Sequence, residues 1–546
     1  MSAFAVTDFN IVCWALGSFI TLFGLVSYLL KEKLYLSEAL ISLLCGVVVS
    51  PYALNFIDPL SYANGSLANL NVITLNFSRL VLGVQLVLAG VQLPARYIRT
   101  EWKSLLVLLG PVMTCMWLIS SIVVWLMVPK LSFLQALAVG ACITPTDPVL
   151  SNSIVKGKFA DKNVPKGLQR LIIAESGAND GLGYPFLFLA LYMMKYTGEG
   201  VPGRTSGVQE AMRLWLGGTW AYVILLSVAY GAAIGWTARE LLQRTEEKNF
   251  VDRESFVVFA IALALFILGS CGLICSDDVL ACFIAGNVFT WDDWFRIKTL
   301  DDSLQPTVDM LLNLTIFMWF GAICPWPKFL NSEIVPAHRL VFLGILILLL
   351  RRLPIIFALR KYIYQIEDER EAVFVGFFGP IGVSAIFYLY IGLDFLEGVT
   401  DSSGLQRTDA VVLSEVMTVV IWFLTICSIV VHGLSIPLGK IGLYLPQTLS
   451  HAFNITSNLG SQFLTVQEEM DPEAGGCPAW RPTSISHTPT KHSTSTSASL
   501  NPTSRLSQSS TLDHNSEFTA SDESVSHIVA PVISYGTIPT SGTSHK

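Results

Sequence analysis

Glu175, Ser176, Asn179 and Asp180 sit together in a run otherwise fit for lipid, Leu171-Ile172-Ile173-Ala174-Glu175-Ser176-Gly177-Ala178-Asn179-Asp180-Gly181. Two carboxylates, a hydroxyl and a carboxamide are hard oxygen donors. A carboxylate at bilayer depth costs about 2.5–3.5 kcal/mol on insertion scales, so one found there is a functional candidate. Ser176, Asn179 and Asp180 form the i, i+3, i+4 set that shares one stripe of a helix. Such a stripe is a ligand set of the kind a small alkali cation needs. Glu175 lies five positions before Asp180, on an adjoining face. A buried polar knot that glues two helices is the plainer alternative. The ion site is preferred because of what lies elsewhere in the chain.

A second polar cluster interrupts another apolar run at Thr144-Pro145-Thr146-Asp147-Pro148. Prolines remove helix hydrogen bonds and free backbone carbonyls. Irregular backbone at membrane depth is tolerated only where protein buries it or it lines a watery cavity. A proline kink capped locally by Asp147 accounts for the prolines; the charge between them favours a site. A matching irregularity, Gly376-Phe377-Phe378-Gly379-Pro380-Ile381-Gly382-Val383-Ser384, breaks an apolar run much later.

The elements that must hold these clusters are helices. About thirteen runs have membrane-crossing length, near 11–30, 34–54, 73–94, 104–127, 131–154, 167–194, 214–236, 255–275, 277–290, 308–326, 338–359, 372–392 and 410–434. The expected fold is an all-α polytopic membrane protein over residues 1–444. Its interrupted runs are the fifth and the twelfth. Spans one to six and eight to thirteen then make two halves, with the seventh as the joint. Interruptions at corresponding positions of two halves point to a transporter's central site. A channel would instead use a continuous pore.

Two further polar elements stand out. Ser276-Asp277-Asp278 opens the short ninth span. Adjacent acids point in different directions on a helix, so they suit either capping of its N-terminus or a place on a cation pathway. Leu350-Arg351-Arg352-Leu353-Pro354 lies at the inner end of the eleventh span. One of these arginines can snorkel to the surface, while the other would lie deep enough to need a buried acid.

Composition fits a membrane protein. Hydrophobic residues make up 52% of the chain and charged ones 14%, mean hydropathy is +0.56, and a soluble domain carries roughly 25% charge. The net charge of −7 leaves no nucleic-acid footprint. Most of the 10 cysteines lie in apolar runs without metal-site spacing, as buried hydrophobes do. No Walker-type phosphate loop is present. The histidines make no His–acid–Ser grouping, so neither an ATP-driven pump nor an enzyme is expected.

One set of alternate loops is far richer in Lys and Arg, for example Lys31 and Lys33, Lys156 to Arg170, and Arg239 to Arg253. The positive-inside rule places that set in the cytoplasm, with the amino terminus outside and the carboxyl terminus inside. Residues 445–546 are rich in Ser, Thr, Pro and Gly and are expected to form a largely disordered cytoplasmic tail open to regulators.

Thr146-Asp147-Pro148, Glu175 to Gly181, Gly379-Pro380-Ile381-Gly382-Val383 and Val431-His432-Gly433-Leu434-Ser435 resemble the signature segments of monovalent cation/proton antiporters. Phe77 to Gln85 and Ala141 to Leu150 resemble, more narrowly, the fungal plasma-membrane sodium/proton antiporters. The likeness spans roughly residues 10–440, with its motifs in the expected order. It implies a homodimer, each subunit having a dimerisation domain and a six-helix core of inverted repeats in which two broken helices cross. Asp180 matches the essential ion-binding aspartate, with Asn179 beside it; Thr146, Asp147 and Ser176 match residues near the alkali-metal ion. Glu175 matches an acid paired with a core arginine. Arg351 fits that arginine's spacing best, although the doubled Arg351-Arg352 departs from a single-arginine pattern and leaves Arg352 as the alternative. Asp277 and Asp278 match an acidic pair of the fungal members. The implied activity exchanges cytoplasmic Na⁺, with Li⁺ or K⁺, for external protons, without a cofactor, in cation detoxification and pH homeostasis. A K⁺-preferring exchanger of an internal membrane is the alternative, and a cation channel a more distant one.

Overall fold

Backbone amides in an apolar medium have to find partners within their own segment, which favours helices. The computed structural model describes residues 8–155, 158–198, 204–332, 334–401, 403–435 and 437, and these are helical nearly throughout. The chain divides into two units, Met1–Leu464 and Thr465–Lys546, and every described residue lies in the first. The expected tail at 445–546 lies outside the described residues.

In chain order the apolar part runs α1 (Phe9–Lys31), α2 (Glu38–Val49), α3 (Leu67–Gln92), α4 (Trp102–Met127) and α5 (Phe133–Cys142). It continues with α6 (Pro148–Val155), α7 (Lys166–Gly181) and α8 (Gly183–Thr197). Then come α9 (Gly207–Glu247), α10 (Arg253–Leu273), α11 (Asp278–Phe289), α12 (Leu304–Ile323) and α13 (Ala337–Tyr362). The last are α14 (Glu369–Phe377), α15 (Val383–Glu397) and α16 (Thr408–Ser435).

Among the described residues, eight of these are long and apolar enough to cross a membrane: α1, α3, α4, α9, α10, α12, α13 and α16. The sequence led us to expect about thirteen. The difference has a physical origin. The runs near 131–154, 167–194 and 372–392 are not single helices but pairs, α5/α6, α7/α8 and α14/α15, parted by Pro, Gly or a single non-helical residue. The remaining two, α2 and α11, have 12 residues each.

Small residues set how closely the short helices are gripped. A Cβ on Gly231 or Gly235 of α9 would lie 2.4 and 2.5 Å from the carbonyl oxygens of Ala281 and Ala285 in α11. Backbones approach that closely only where side chains are missing, so α11 is held hard against α9. By contrast, α1 is sparsely buried, and Phe9, Trp14, Leu22 and Leu25 are exposed as a lipid-facing surface would be. The main buried core surrounds the broken helices.

Candidate functional site

The interrupted helices come together at Asp147. Its backbone N–H donates to the Pro380 carbonyl at 3.0 Å. Its carboxylate accepts from Leu150 N at 2.8 Å and from Ser384 N at 3.2 Å. One side chain thus caps the N-terminal ends of both α6 and α15, where free amides and the helix dipole favour a negative charge. A Cβ on Gly382 would lie 2.6 Å from the Asp147 carboxyl carbon, so glycine is what lets the two breaks meet.

Arg351 serves the opposite ends. Its guanidinium donates to the carbonyls of Ile143 and Gly379, and more weakly to Thr144 at 3.3 Å and Pro145 at 3.5 Å. These are carbonyls released where α5 and α14 stop, the acceptors that a helix C-terminus leaves open. A carboxylate on two helix starts and a guanidinium on two helix stops balance the crossing.

Arg351 is therefore not the partner of Glu175, the first of the two choices that the family resemblance left open. Arg352 is. Its two terminal nitrogens meet the Glu175 oxygens at 2.6 and 2.7 Å, a bidentate pair with both side chains almost wholly buried. Arg352 also donates to Val375 O at 2.9 Å. The reason is local: α13 breaks into Ala337–Leu350 and Leu353–Leu359 ahead of Pro354, so helical spacing does not set where the two arginines between them point.

Next to this pair lies an oxygen-rich centre. Asn179 Nδ2 donates to Thr146 Oγ1 at 2.8 Å, and Thr146 N donates to Asn179 Oδ1 at 3.2 Å. Ser176 Oγ is 3.1 Å from both Thr146 Oγ1 and Ser151 Oγ. Ser151 was not singled out from the sequence, although its place four residues after Asp147 on the next helical turn was a usable signal. All of these side chains are buried.

Asp180 differs from Asp147 and Glu175, whose carboxylates are partnered. It is 1% exposed, and neither carboxylate oxygen has a hydrogen-bond partner. Tyr388 Oη donates to its backbone carbonyl rather than to its carboxylate. The Ser384 hydroxyl is likewise buried without a hydrogen-bond partner. A buried carboxylate left bare in this way is costly, and either a proton or a cation removes the cost.

Asp277 and Asp278 divide their work as adjacent residues on a helix should. Asp277 Oδ1 accepts from Leu280 N at 3.0 Å and caps α11, while its Oδ2 is buried without a partner. Asp278 takes Arg79 Nε of α3 at 2.5 Å. Among the described residues no group of three or more His, Cys, Asp or Glu is placed to hold a metal ion.

The fold and the site define a polytopic membrane protein whose discontinuous helices meet at a buried polar centre. The family described as sodium/hydrogen exchanger, transmembrane, matches residues 18–438, and the chain belongs to it. Over 455 residues it is 38% identical to a Na(+)/H(+) antiporter of Saccharomyces cerevisiae, covering 81% of this chain and 45% of that protein. Over 463 residues it is 31% identical to a Na(+)/H(+) antiporter of Schizosaccharomyces pombe, covering 83% and 96%. The chain spans about half the length of three curated relatives it matches, at 45%, 54% and 57%. Its fold is similar to that of the sodium proton antiporter MjNhaP1 from Methanocaldococcus jannaschii solved at pH 8, with a TM-score of 0.54 at 18% identity over 78% of this chain and 100% of that one.

Proposed function

We propose that the protein is a secondary active antiporter that moves cytoplasmic Na⁺, and Li⁺ or K⁺ with it, outward in exchange for protons by alternating access. One observation carries this reading: the Asp180 carboxylate is buried with both oxygens unpartnered, beside the donor oxygens of Thr146, Ser176 and Asn179. A lone carboxylate can hold a proton or help hold a cation, and holding one disfavours the other. Competition for one site, presented alternately to each side, couples the two fluxes. Asp147 and Arg351 keep the broken helices together around the site, and the Glu175–Arg352 pair braces the helix that carries it.

The remaining features of the reading fit this scheme. Counting α5/α6, α7/α8 and α14/α15 as one crossing each gives thirteen spans in two inverted halves, with the first and third pairs as the crossed broken helices. An odd number of spans puts the two termini on opposite sides, and the basic loops favour an outside amino terminus and a cytoplasmic carboxyl terminus. The sparsely buried α1 suits a homodimer contact or lipid. The relatives named above are Na⁺/H⁺ antiporters, in keeping with cation and pH homeostasis at the plasma membrane, and the tail beyond residue 444 would take regulators. The test is exchange in proteoliposomes under an imposed pH gradient, comparing Na⁺, Li⁺ and K⁺. Cation flux that a pH gradient does not drive would overturn the reading.

A further inference from the structure

Val431-His432-Gly433-Leu434-Ser435 closes α16, away from the polar centre at Asp180. His432 is 4% exposed, and both of its ring nitrogens meet backbone carbonyls: Nδ1 lies 2.8 Å from Ser428 O and Nε2 3.0 Å from Phe377 O. Phe377 is the last residue of α14, so its carbonyl is one of the acceptors that a helix stop leaves open. One turn back on α16, the Ser428 hydroxyl accepts from Ile381 N at 2.7 Å. Ser428 and His432 therefore hold both sides of the α14/α15 break. The Phe377 and Phe378 rings pack beside the imidazole, with centroids 5.3 and 6.1 Å away.

A carbonyl oxygen accepts and does not donate, so two such contacts call for two N–H groups. A neutral imidazole has one. With its proton on Nε2 it keeps Phe377, and a lone pair on Nδ1 faces the Ser428 carbonyl, with the Ser428 hydroxyl at 3.1 Å as donor. With the proton on Nδ1, the lone pair faces Phe377 instead. The imidazolium donates to both. Histidine is also the side chain whose ordinary titration falls between pH 5 and 8. The charged group within electrostatic reach of the ring is Arg351 of α13, itself held on the Ile143 and Gly379 carbonyls. From α14 the ring meets the Phe377 carbonyl and two phenyl rings. From α2, Ser37 N lies 3.5 Å from the Gly433 carbonyl, and Glu38 is ion-paired with Lys31.

We propose that His432 is a proton-operated positioning residue: a proton taken from the cytoplasmic side clasps α16 onto the α14/α15 break and slows exchange. The inference rests on the exchange reading above, which puts the end of α16 toward the cytoplasm. A carrier that admits protons acidifies the compartment it serves, and a clasp that tightens with acid there acts as a brake. The brake has its own kinetic signature. Protons competing with sodium at Asp180 raise the half-saturation for sodium and leave the maximal rate alone, because enough sodium displaces them. A clasp on the broken helix is not displaced by sodium, so acid lowers the maximal rate itself. Simple helix gluing would be served by an amide at 432, which carries no proton to gain or lose.

The test is sodium-driven proton exchange by the full chain in proteoliposomes, with equal pH on both faces and rates extrapolated to saturating sodium. The pH is stepped from about 7.5 to about 5.5, over which an ordinary histidine goes from about a tenth to about nine tenths protonated. The wild-type maximal rate should fall roughly threefold or more over that range. That of His432→Gln, which can still donate to Phe377 O but takes up no proton, should stay level. Half-saturation for sodium should rise with acid in both proteins, since Asp180 is intact. A maximal rate that falls equally in both, or in neither, overturns the clasp. If His432→Gln fails to fold, His432→Asn, with its amide nearer the Nδ1 position, is read in the same way. A wild type that moves no protons in response to sodium at any pH overturns the exchange reading, and the clasp with it.

Discussion

Glu175 and Asp180 lie five residues apart on one helix, and both are almost wholly buried. Glu175 has each oxygen paired with Arg352; Asp180 has neither oxygen paired. Equal burial therefore goes with opposite chemistry. A carboxylate held by a bidentate guanidinium is fixed as an anion and braces the helix. A carboxylate with no partner is free to change what neutralises it, which is what an exchanger needs. Partner count, more than depth, separates scaffold from working group.

The sharpest way to break that contrast is to remove the change of charge at Asp180. Asp180→Asn keeps size and helical position but can no longer alternate between proton and cation. PH-gradient-driven exchange in proteoliposomes should fall to background, while expression and the size-exclusion profile stay normal. Substantial exchange by this variant would mean that another acid does the work.

Loss of the brace comes next. Glu175→Ala or Arg352→Ala strands a buried charge and should cost about 3–5 kcal/mol in stability. Combining the two should recover part of that loss, whereas Glu175→Ala with Arg351→Ala should not, because Arg351 serves the Ile143 and Gly379 carbonyls. Thermal unfolding in detergent measures both. Recovery with Arg351 rather than Arg352 would restore the pairing that the family resemblance favoured.

Asp147 tests a third kind of acid, one whose partners are amides. Asp147→Ala removes two helix caps at about 0.5–2 kcal/mol each. Asp147→Asn keeps one acceptor oxygen and should lose about half as much stability. Unlike Asp180→Asn, it should retain measurable exchange. Equal and complete loss of exchange in Asp147→Asn and Asp180→Asn, with both proteins folded, would give Asp147 a direct part in binding.

Much of this was legible in the chain because acids within apolar runs are expensive and therefore conspicuous. Glu175, Asp180 and Asp147 stood out for that reason, and the breaks at Pro145–Pro148 and Gly379–Gly382 announced themselves by residue type. What stayed hidden depends on contacts distant in sequence. Asp147 caps a helix that starts 236 residues later at Val383. The choice between Arg351 and Arg352 turns on a helix break whose angle no local pattern encodes. Asp309 and Asn313 are unremarkable where they stand and meet the Gln85 amide only once α3 packs on α12. The runs near 131–154, 167–194 and 372–392 count as single spans in the sequence because apolar length is continuous there, while the helices themselves break within them.

The smallest expected effect belongs to Ser176, the residue directly after Glu175. Its hydroxyl touches Thr146 Oγ1 and Ser151 Oγ, but neither contact leaves a charge exposed when lost. In Ser176→Ala, Thr146 Oγ1 still accepts from Asn179 Nδ2, and only Ser151 loses a partner. A neutral hydrogen bond is worth about 0.5–1.5 kcal/mol, and alanine's better helix propensity offsets roughly half a kcal/mol of that. Stability should thus change by about 1 kcal/mol or less. If Ser176 is a cation ligand, half-saturation for Na⁺ should rise by roughly 2–10-fold, the kinetic equivalent of one such bond, at near-normal maximal rate. A stability loss matching that of Glu175→Ala, with half-saturation unmoved, would make Ser176 part of the brace and would push the border between scaffold and working group one residue further along the helix.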